Sequence, residues 1–207
     1  MTDSAVFRKK KNRVLPHDLH ATQKPIAMNV LLIVLFAILF PIIHLANGWI
    51  FKFAEITPHI GLIYLPAFLR LANVLILGPL SGTLATLLGG LLLMEYFGEL
   101  AWLALLNNLC SAGGPLVALA LFRLHHRRAV ELTSLKDLAW LTLLYAFANA
   151  ALHHAVWSVV APDKLVGSSQ VLWMILGDIS GTLLCAYIMK WTILWHRERK
   201  FKSDLLD

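Results

Sequence analysis

The chain has 207 residues, of which 58% are hydrophobic and 14% charged, with a mean hydropathy of +0.70. A soluble domain carries about 25% charged residues, so this composition excludes an ordinary water-soluble globule, and it excludes a disordered chain for the same reason. Eighteen Lys and Arg against twelve Asp and Glu give a net charge of +6 with His neutral. In so apolar a chain that excess reports membrane topology rather than nucleic-acid binding.

Residues 1–25 are polar and basic, with Arg8, Lys9, Lys10, Lys11 and Arg13 clustered and with Pro16 and Pro25 interrupting any helical stripe. They read as a disordered cytoplasmic arm. A secretory signal has a short charged start and an apolar core of about 7–15 residues; here the arm is long, and the following run, Ile26 to Phe53, exceeds the ~20 residues that a membrane span needs. Five more apolar runs follow: His59 to Leu77, Leu80 to Phe97, Leu100 to Phe122, Leu138 to Val160 and Ser168 to Trp195. Gly78 and Pro79 break the second from the third, and Ala161, Pro162 and Asp163 end the fifth. The second and third sit near the lower length limit and are expected to tilt little or be partly re-entrant. The fold class read from this pattern is all-α: a polytopic six-helix transmembrane bundle over 26–195, with cytoplasmic termini and a short charged tail, 196–207.

The basic residues support that topology. With six spans and the N-terminus inside, fifteen of the eighteen fall on the cytoplasmic side, in the arm, in the Arg123 to Asp137 loop and in the C-terminal end. Lys52 and Lys164 fall opposite, and Arg70 lies within helix 2. This is a strong positive-inside bias. Trp49, Trp102 and Trp195 stand where an interfacial aromatic belt belongs. The basic arm and loop can also touch anionic headgroups. The expected partners are the lipid bilayer, a separate membrane or cytoplasmic protein and a small-molecule ligand, with no nucleic acid.

Polar groups inside the spans carry the functional reading. Arg70, about two turns from the cytoplasmic end of helix 2, either snorkels to that end or is buried and paired, because an intramembrane charge is costly unless partnered or wet. Asp178, well inside helix 6, is its natural partner, and without a cation it would be protonated by burial. The pair is read either as a structural bridge or as a ligand or proton site. On helix 5, Tyr145, Asn149, His153 and Trp157 recur every four residues and share one face. That face should turn inward, since lipid cannot satisfy Asn or His. His154 points about 100° away, so the HisHis pair makes a poor metal clamp, and interhelical hydrogen bonding is the simpler reading. Helix 4 carries Asn107, Asn108 and Ser111 and then Gly113, Gly114 and Pro115, a sequence that can kink or unwind a helix. Helix 3 shows a small-residue face, Gly82, Ala85 and Gly89 beside Gly90. Glu95 and Glu99 are expected at the outer surface. The candidate ligand-binding set is Arg70, Asn73, Asn107, Asn108, Asn149, His153 and Asp178.

No phosphate-cradling Walker sequence or HExxH occurs, nor does GxSxG. No catalytic residue, metal site or cofactor is assigned, and the chain is not read as an enzyme; a hydrolase built from Ser180 and His153 is the one alternative of that class. Cys110 and Cys185 lie in apolar runs and read as small buried hydrophobes. Ile76–Leu84 and Ile175–Leu183 agree at seven of nine positions. A three-plus-three inverted repeat would give such an echo, and so would chance among Leu, Gly, Ser and Thr.

The residues Tyr64-Leu-Pro-Ala-Phe-Leu-Arg-Leu-Ala-Asn-Val-Leu-Ile-Leu-Gly-Pro79, then a Gly-rich helix, and Trp173-Met-Ile-Leu-Gly-Asp-Ile-Ser-Gly-Thr-Leu183 in the last helix resemble the membrane-associated sensor (MASE-type) family first described on bacterial histidine kinases and diguanylate cyclases. Asn107 or Asn108 before the small run Ser111–Gly114, with Arg123 beyond it, fits the middle of that pattern. The resemblance spans about residues 30–195 and implies a multi-pass protein of the bacterial cell inner membrane acting in signal transduction. Where the family usually has a WPxxG-like start, this chain has Leu65-Pro66-Ala67-Phe68, followed by Leu69-Arg70. About a dozen residues follow Trp195, where family members commonly carry an output domain, so a signal is expected to pass to a separate partner. The length and layout also resemble the substrate-binding subunits of energy-coupling vitamin transporters, although helix 1 lacks their small-xxx-small docking face. Three roles follow as expectations: a sensor-like ligand-binding bundle, a substrate-capturing transport subunit, or a structural subunit whose polar residues only pin helices together.

Overall fold

The computed structural model describes residues 26–57, 60–94, 96, 98, 100–165, 167 and 169–203, without the side chains of 193, 194 and 196–203. The basic arm, Glu95 and Glu99 lie outside them. Six α-helices follow one another: α1 (Ile26–Ile50), α2 (Pro66–Leu77), α3 (Pro79–Leu91), α4 (Ala101–His126), α5 (Leu135–Val160) and α6 (Gln170–Ser203). Between α1 and α2, β1 (Glu55–Thr57) and β2 (Ile60–Gly61) form a small antiparallel hairpin. The described residues are thus predominantly helical, as the composition implies. Four stretches are long and apolar enough to cross a membrane, namely α1, α4, α5 and Gln170–Thr192 of α6. At 12 and 13 residues, α2 and α3 are shorter than a full span.

The second apolar run is where sequence and structure differ most. A helix from His59 is expected; the helix begins only at Pro66. Proline suits the first helical position because its ring presets φ and it has no N–H to leave unpaired. The residues before it are non-helical because their backbone groups bond elsewhere. Leu62 N–H donates to the Ala54 carbonyl, Tyr64 N–H to the Gly177 carbonyl at 3.0 Å, and Leu65 N–H to Asn47 Oδ1 at 2.8 Å. Gly78, at φ +88°, then turns the chain sharply, and Pro79 starts α3. The third helix stops at Leu91, short of Phe97, after the weak helix formers Gly89 and Gly90.

α2 is enclosed. It packs against α1, α3, α4 and α6, and eight of its residues, from Pro66 to Val74, are buried. That enclosure explains why it is apolar on nearly every face. Ala67, Leu71 and Val74 meet Ala118, Leu119 and Phe122 of α4 and Leu141 and Tyr145 of α5 in the main core cluster. The small face of α3 is spent on packing: a Cβ on Gly82 would strike the Asn73 backbone of α2, and one on Gly89 would strike Phe40 and the Ala37 carbonyl of α1.

α4 runs unbroken through Gly113, Gly114 and Pro115, so of the two readings of that sequence, bending or unwinding, unwinding does not occur. The glycines serve closeness instead, since a Cβ at Gly114 would lie 3.2 Å from that of Asn149. α4 ends at Arg127, whose φ is +55°. Ser134 caps α5 by accepting from the Asp137 N–H. Arg128 grips the Asp137 carboxylate through two hydrogen bonds of 2.5 and 2.7 Å, with the Glu131 N–H adding a third at 3.0 Å. This pairing holds the Arg128 guanidinium above its ordinary pKa. The basic residues Arg123, Arg127, Arg128 and Lys136 therefore stand at the end of the α4–α5 pair opposite the 161–170 connection.

The echo does not mark shared local structure: Ile76–Leu84 contains the Gly78 break, whereas Ile175–Leu183 lies within unbroken α6. Cys110 is buried, Cys185 half-buried, and both are free thiols.

Candidate functional site: a charged cavity inside the bundle

The Gly177-Asp178-Ile179-Ser180-Gly181 stretch of α6 builds the site. Its two glycines, four apart, share one helix face, but that face meets extended backbone and not another helix. A Cβ on Gly177 would strike the Gly61 carbonyl, and one on Gly181 the Tyr64 carbonyl. Ser180 Oγ donates to the Leu62 carbonyl, and the Gly177 carbonyl receives the Tyr64 N–H. Residues 61–64 thus lie flat on α6, with their backbone satisfied by it. The arrangement leaves Asp178 facing the interior, about 12 Å along the helix from Gln170.

The interior there is a cavity of about 310 Å³, at the small end of ligand pockets, which run from ~300 to 1,000 Å³. Arg70 reaches it from α2, Asn107, Asn108 and Ser111 from α4, His153 and Trp157 from α5, and Asp178 from α6. Phe40 and His44 of α1 and Tyr64 also line it, and Asp163 and Lys164 form its rim.

Arg70 is 6% exposed and points inward, so it does not snorkel. Its Nη2 donates to the Tyr64 hydroxyl at 2.9 Å, and the guanidinium carbon stands 5.1 Å from the Tyr64 ring centre and 5.5 Å from that of Phe40. Aromatic faces stabilise a cation in this position. The Tyr64 hydroxyl also hydrogen-bonds His44 Nδ1 at 3.2 Å. Arg70 Nε and the nearby Tyr145 hydroxyl are buried without a hydrogen-bond partner.

Asp178, 1% exposed, accepts from Asn149 Nδ2 at 2.7 Å. Among the described residues no ion pair joins Asp178 to Arg70; the only ion pair described is Arg128–Asp137. In place of a direct bridge, a guanidinium and a carboxyl group share one cavity, each held by a neutral neighbour.

The shared α5 face turns inward: Tyr145, Asn149, His153 and Trp157 are all buried. His153 Nδ1 bonds the Asn149 carbonyl at 2.9 Å, its Nε2 lies 3.4 Å from Ser111 Oγ, and Trp157 Nε1 donates to Asn107 Oδ1 at 2.7 Å. Asn108 lines the cavity but donates to the Leu87 carbonyl at 2.8 Å, tying α4 to α3. Ser180, with its hydroxyl on the Leu62 and Gly177 carbonyls, is not the serine that meets His153.

Of the seven candidate residues, then, Arg70, Asn107, Asn108, His153 and Asp178 surround the cavity. Asn149 stands behind Asp178. Asn73 is elsewhere: fully buried, it donates to Thr86 Oγ1 at 3.0 Å and staples α2 to α3. The sequence reading missed Phe40, His44 and Tyr64. His44 carried a signal, being an imidazole in the most apolar run, where an ionisable residue points to function. Tyr64 carried none, because its role depends on the extended backbone before Pro66.

No protein-family model, no curated protein and no solved structure matches this chain.

Proposed function

We propose that the chain is a multi-pass membrane protein that takes a small polar molecule into the Arg70–Asp178 cavity and passes the effect of binding to a separate partner protein. The observation that carries this reading is the presence of two buried ionisable side chains of opposite type, a guanidinium and a carboxyl group, on one cavity without an ion pair between them. A structural bridge would bring them together, because two charges in a low dielectric gain most by contact.

The backbone before α2 supports a membrane setting. α2 spans ~18 Å, less than a hydrocarbon core of ~30 Å, and the non-helical residues 60–65 precede it against α6. Irregular backbone inside a membrane is tolerated where it packs on protein or lines a cavity; Gly61 and Tyr64 line the cavity, and the backbone of 61–64 bonds to α6. The rim residues Asp163 and Lys164 lie at the end of the bundle away from Arg123, Arg127, Arg128 and Lys136, so the positive-inside rule puts the rim on the outer face and the N- and C-termini inside. Ligand enters from outside an inner membrane, and α1, whose outward face is apolar, contacts lipid.

Sensing and transport capture share this geometry, and the identity of the partner separates them. Native mass spectrometry of the purified full chain tests binding itself. A small molecule retained by the wild type and lost in Arg70→Ala is expected; wild-type protein that carries nothing contradicts the reading.

A further inference from the structure

The charges around the cavity specify the kind of molecule it takes. We infer that the ligand is a small amino-acid-like zwitterion, its carboxylate on Arg70 and its ammonium on Asp178, an inference that rests on the cavity being a binding site. Arg70 enters with one guanidinium nitrogen committed to Tyr64 and its plane flanked by Phe40 and Tyr64. A guanidinium presents five N–H donors and reads a carboxylate through two parallel bonds. Asp178 enters with Asn149 on one oxygen, Oδ2, and a carboxylate has capacity for several further donors.

Each simpler ligand fails on one of the two walls. A monocarboxylate satisfies Arg70 but faces the Asp178 charge across a small, poorly screened space. A monoamine satisfies Asp178 but faces Arg70. An apolar molecule leaves Arg70 with only the Tyr64 hydroxyl and Asp178 with only the Asn149 amide, both cut off from water, which carries a desolvation penalty. A zwitterion complements both and adds no net charge to the interior. Leu93, Met94, Trp157 and Met174 add apolar wall beside the neutral polar groups of Asn107, Asn108 and Ser111, and together they suit an uncharged side chain. A volume of about 310 Å³ accommodates a single amino acid and lies at the small end of ligand pockets.

The experiment uses the full chain in lipid nanodiscs and the twenty proteinogenic L-amino acids as probes. Thermal shift finds binders and calorimetry measures them. For each binder, the matched primary amine (no carboxylate) and the matched carboxylic acid (no amine) are measured beside it. At least one uncharged-side-chain amino acid is expected to bind, with both matched analogues roughly tenfold to a hundredfold weaker, the range for losing one charge-assisted bond. Asp178→Asn should narrow or invert the preference over the matched acid, and Arg70→Gln should do so over the matched amine. The wild-type comparison needs no variant, so a misfolded mutant does not obscure it. Analogues that bind as well as the amino acid, or no amino acid binding at all, overturn the inference. If native mass spectrometry still finds a retained molecule of another class, the binding reading stands and only the zwitterion falls; if it finds none, both fall.

Discussion

Arg70 and Asp178 face the same cavity without touching, and each is held by a neutral side chain, the Tyr64 hydroxyl for Arg70 and the Asn149 amide for Asp178. Asn149 therefore supports a buried carboxyl group that nothing else in the described protein contacts by hydrogen bond. Replacing it with Leu should destabilise the protein by ~1–3 kcal/mol, the usual consequence of leaving a buried polar group unpaired. Reversible unfolding in mild detergent measures this. A change within about 0.5 kcal/mol, as at an indifferent surface site, would mean that Asp178 does not depend on Asn149.

Tyr64→Phe isolates the hydroxyl that joins Arg70 to His44. The ring stays over the guanidinium, so the cation–π contact survives while two hydrogen bonds are lost. The expected destabilisation is again ~1–3 kcal/mol, and Phe40→Leu, which removes only an aromatic face, should lose less of the Arg70-specific stabilisation, about 0.5–2 kcal/mol. The same unfolding assay compares the two.

Two glycine-to-alanine changes should differ in sign. At Gly181 a Cβ would run into the Tyr64 backbone carbonyl, which cannot swing aside as a side chain can. That change should destabilise by ~1–3 kcal/mol, as overpacking does. At Gly113 the nearest atom is Leu152 Cδ1 at 3.5 Å, an ordinary contact. There the gain in helix propensity, up to ~1 kcal/mol, should leave the protein as stable or more so. Equal effects at both sites would remove the case for backbone lying on α6.

The sidedness of the cavity rim is open to thiol labelling. In a background with Cys110→Ala and Cys185→Ala, a cysteine at Asp163 should react with a membrane-impermeant maleimide added to intact cells, and a cysteine at Lys136 only after lysis. The reverse pattern would turn the rim toward the cytoplasm and the ligand with it.

Much of this architecture was legible in the residues. The positions of the four long helices follow from apolar runs closed by Gly, Pro or charged clusters, and the inward α5 face follows from the four-residue recurrence of Tyr145, Asn149, His153 and Trp157. Arg70 and Asp178 stood out because charge amid apolar sequence is expensive. What the one-dimensional pattern hid was backbone conformation. Residues 60–65 are as apolar as a helix and carry no period that separates the two states; they are non-helical because Gly177, Gly181 and Ser180, over a hundred positions later, allow close approach and bond their backbone. The same cause concealed Tyr64. Asn73 was misassigned to the cavity because its depth resembles that of Arg70 and three residues of helix separate their faces by only about 60°; that offset is enough to turn it to Thr86 and α3.

The central claim is that a guanidinium and a carboxyl group are kept apart to receive a molecule between them. A structure of the full chain in lipid, determined with its co-purified molecule, tests it most directly. The account predicts density in the α2–α4–α5–α6 cavity that contacts both Arg70 and Asp178, with residues 61–64 still lying on α6. Direct contact between the two side chains in a closed interior, or a lipid chain filling the space without touching either charge, would contradict it.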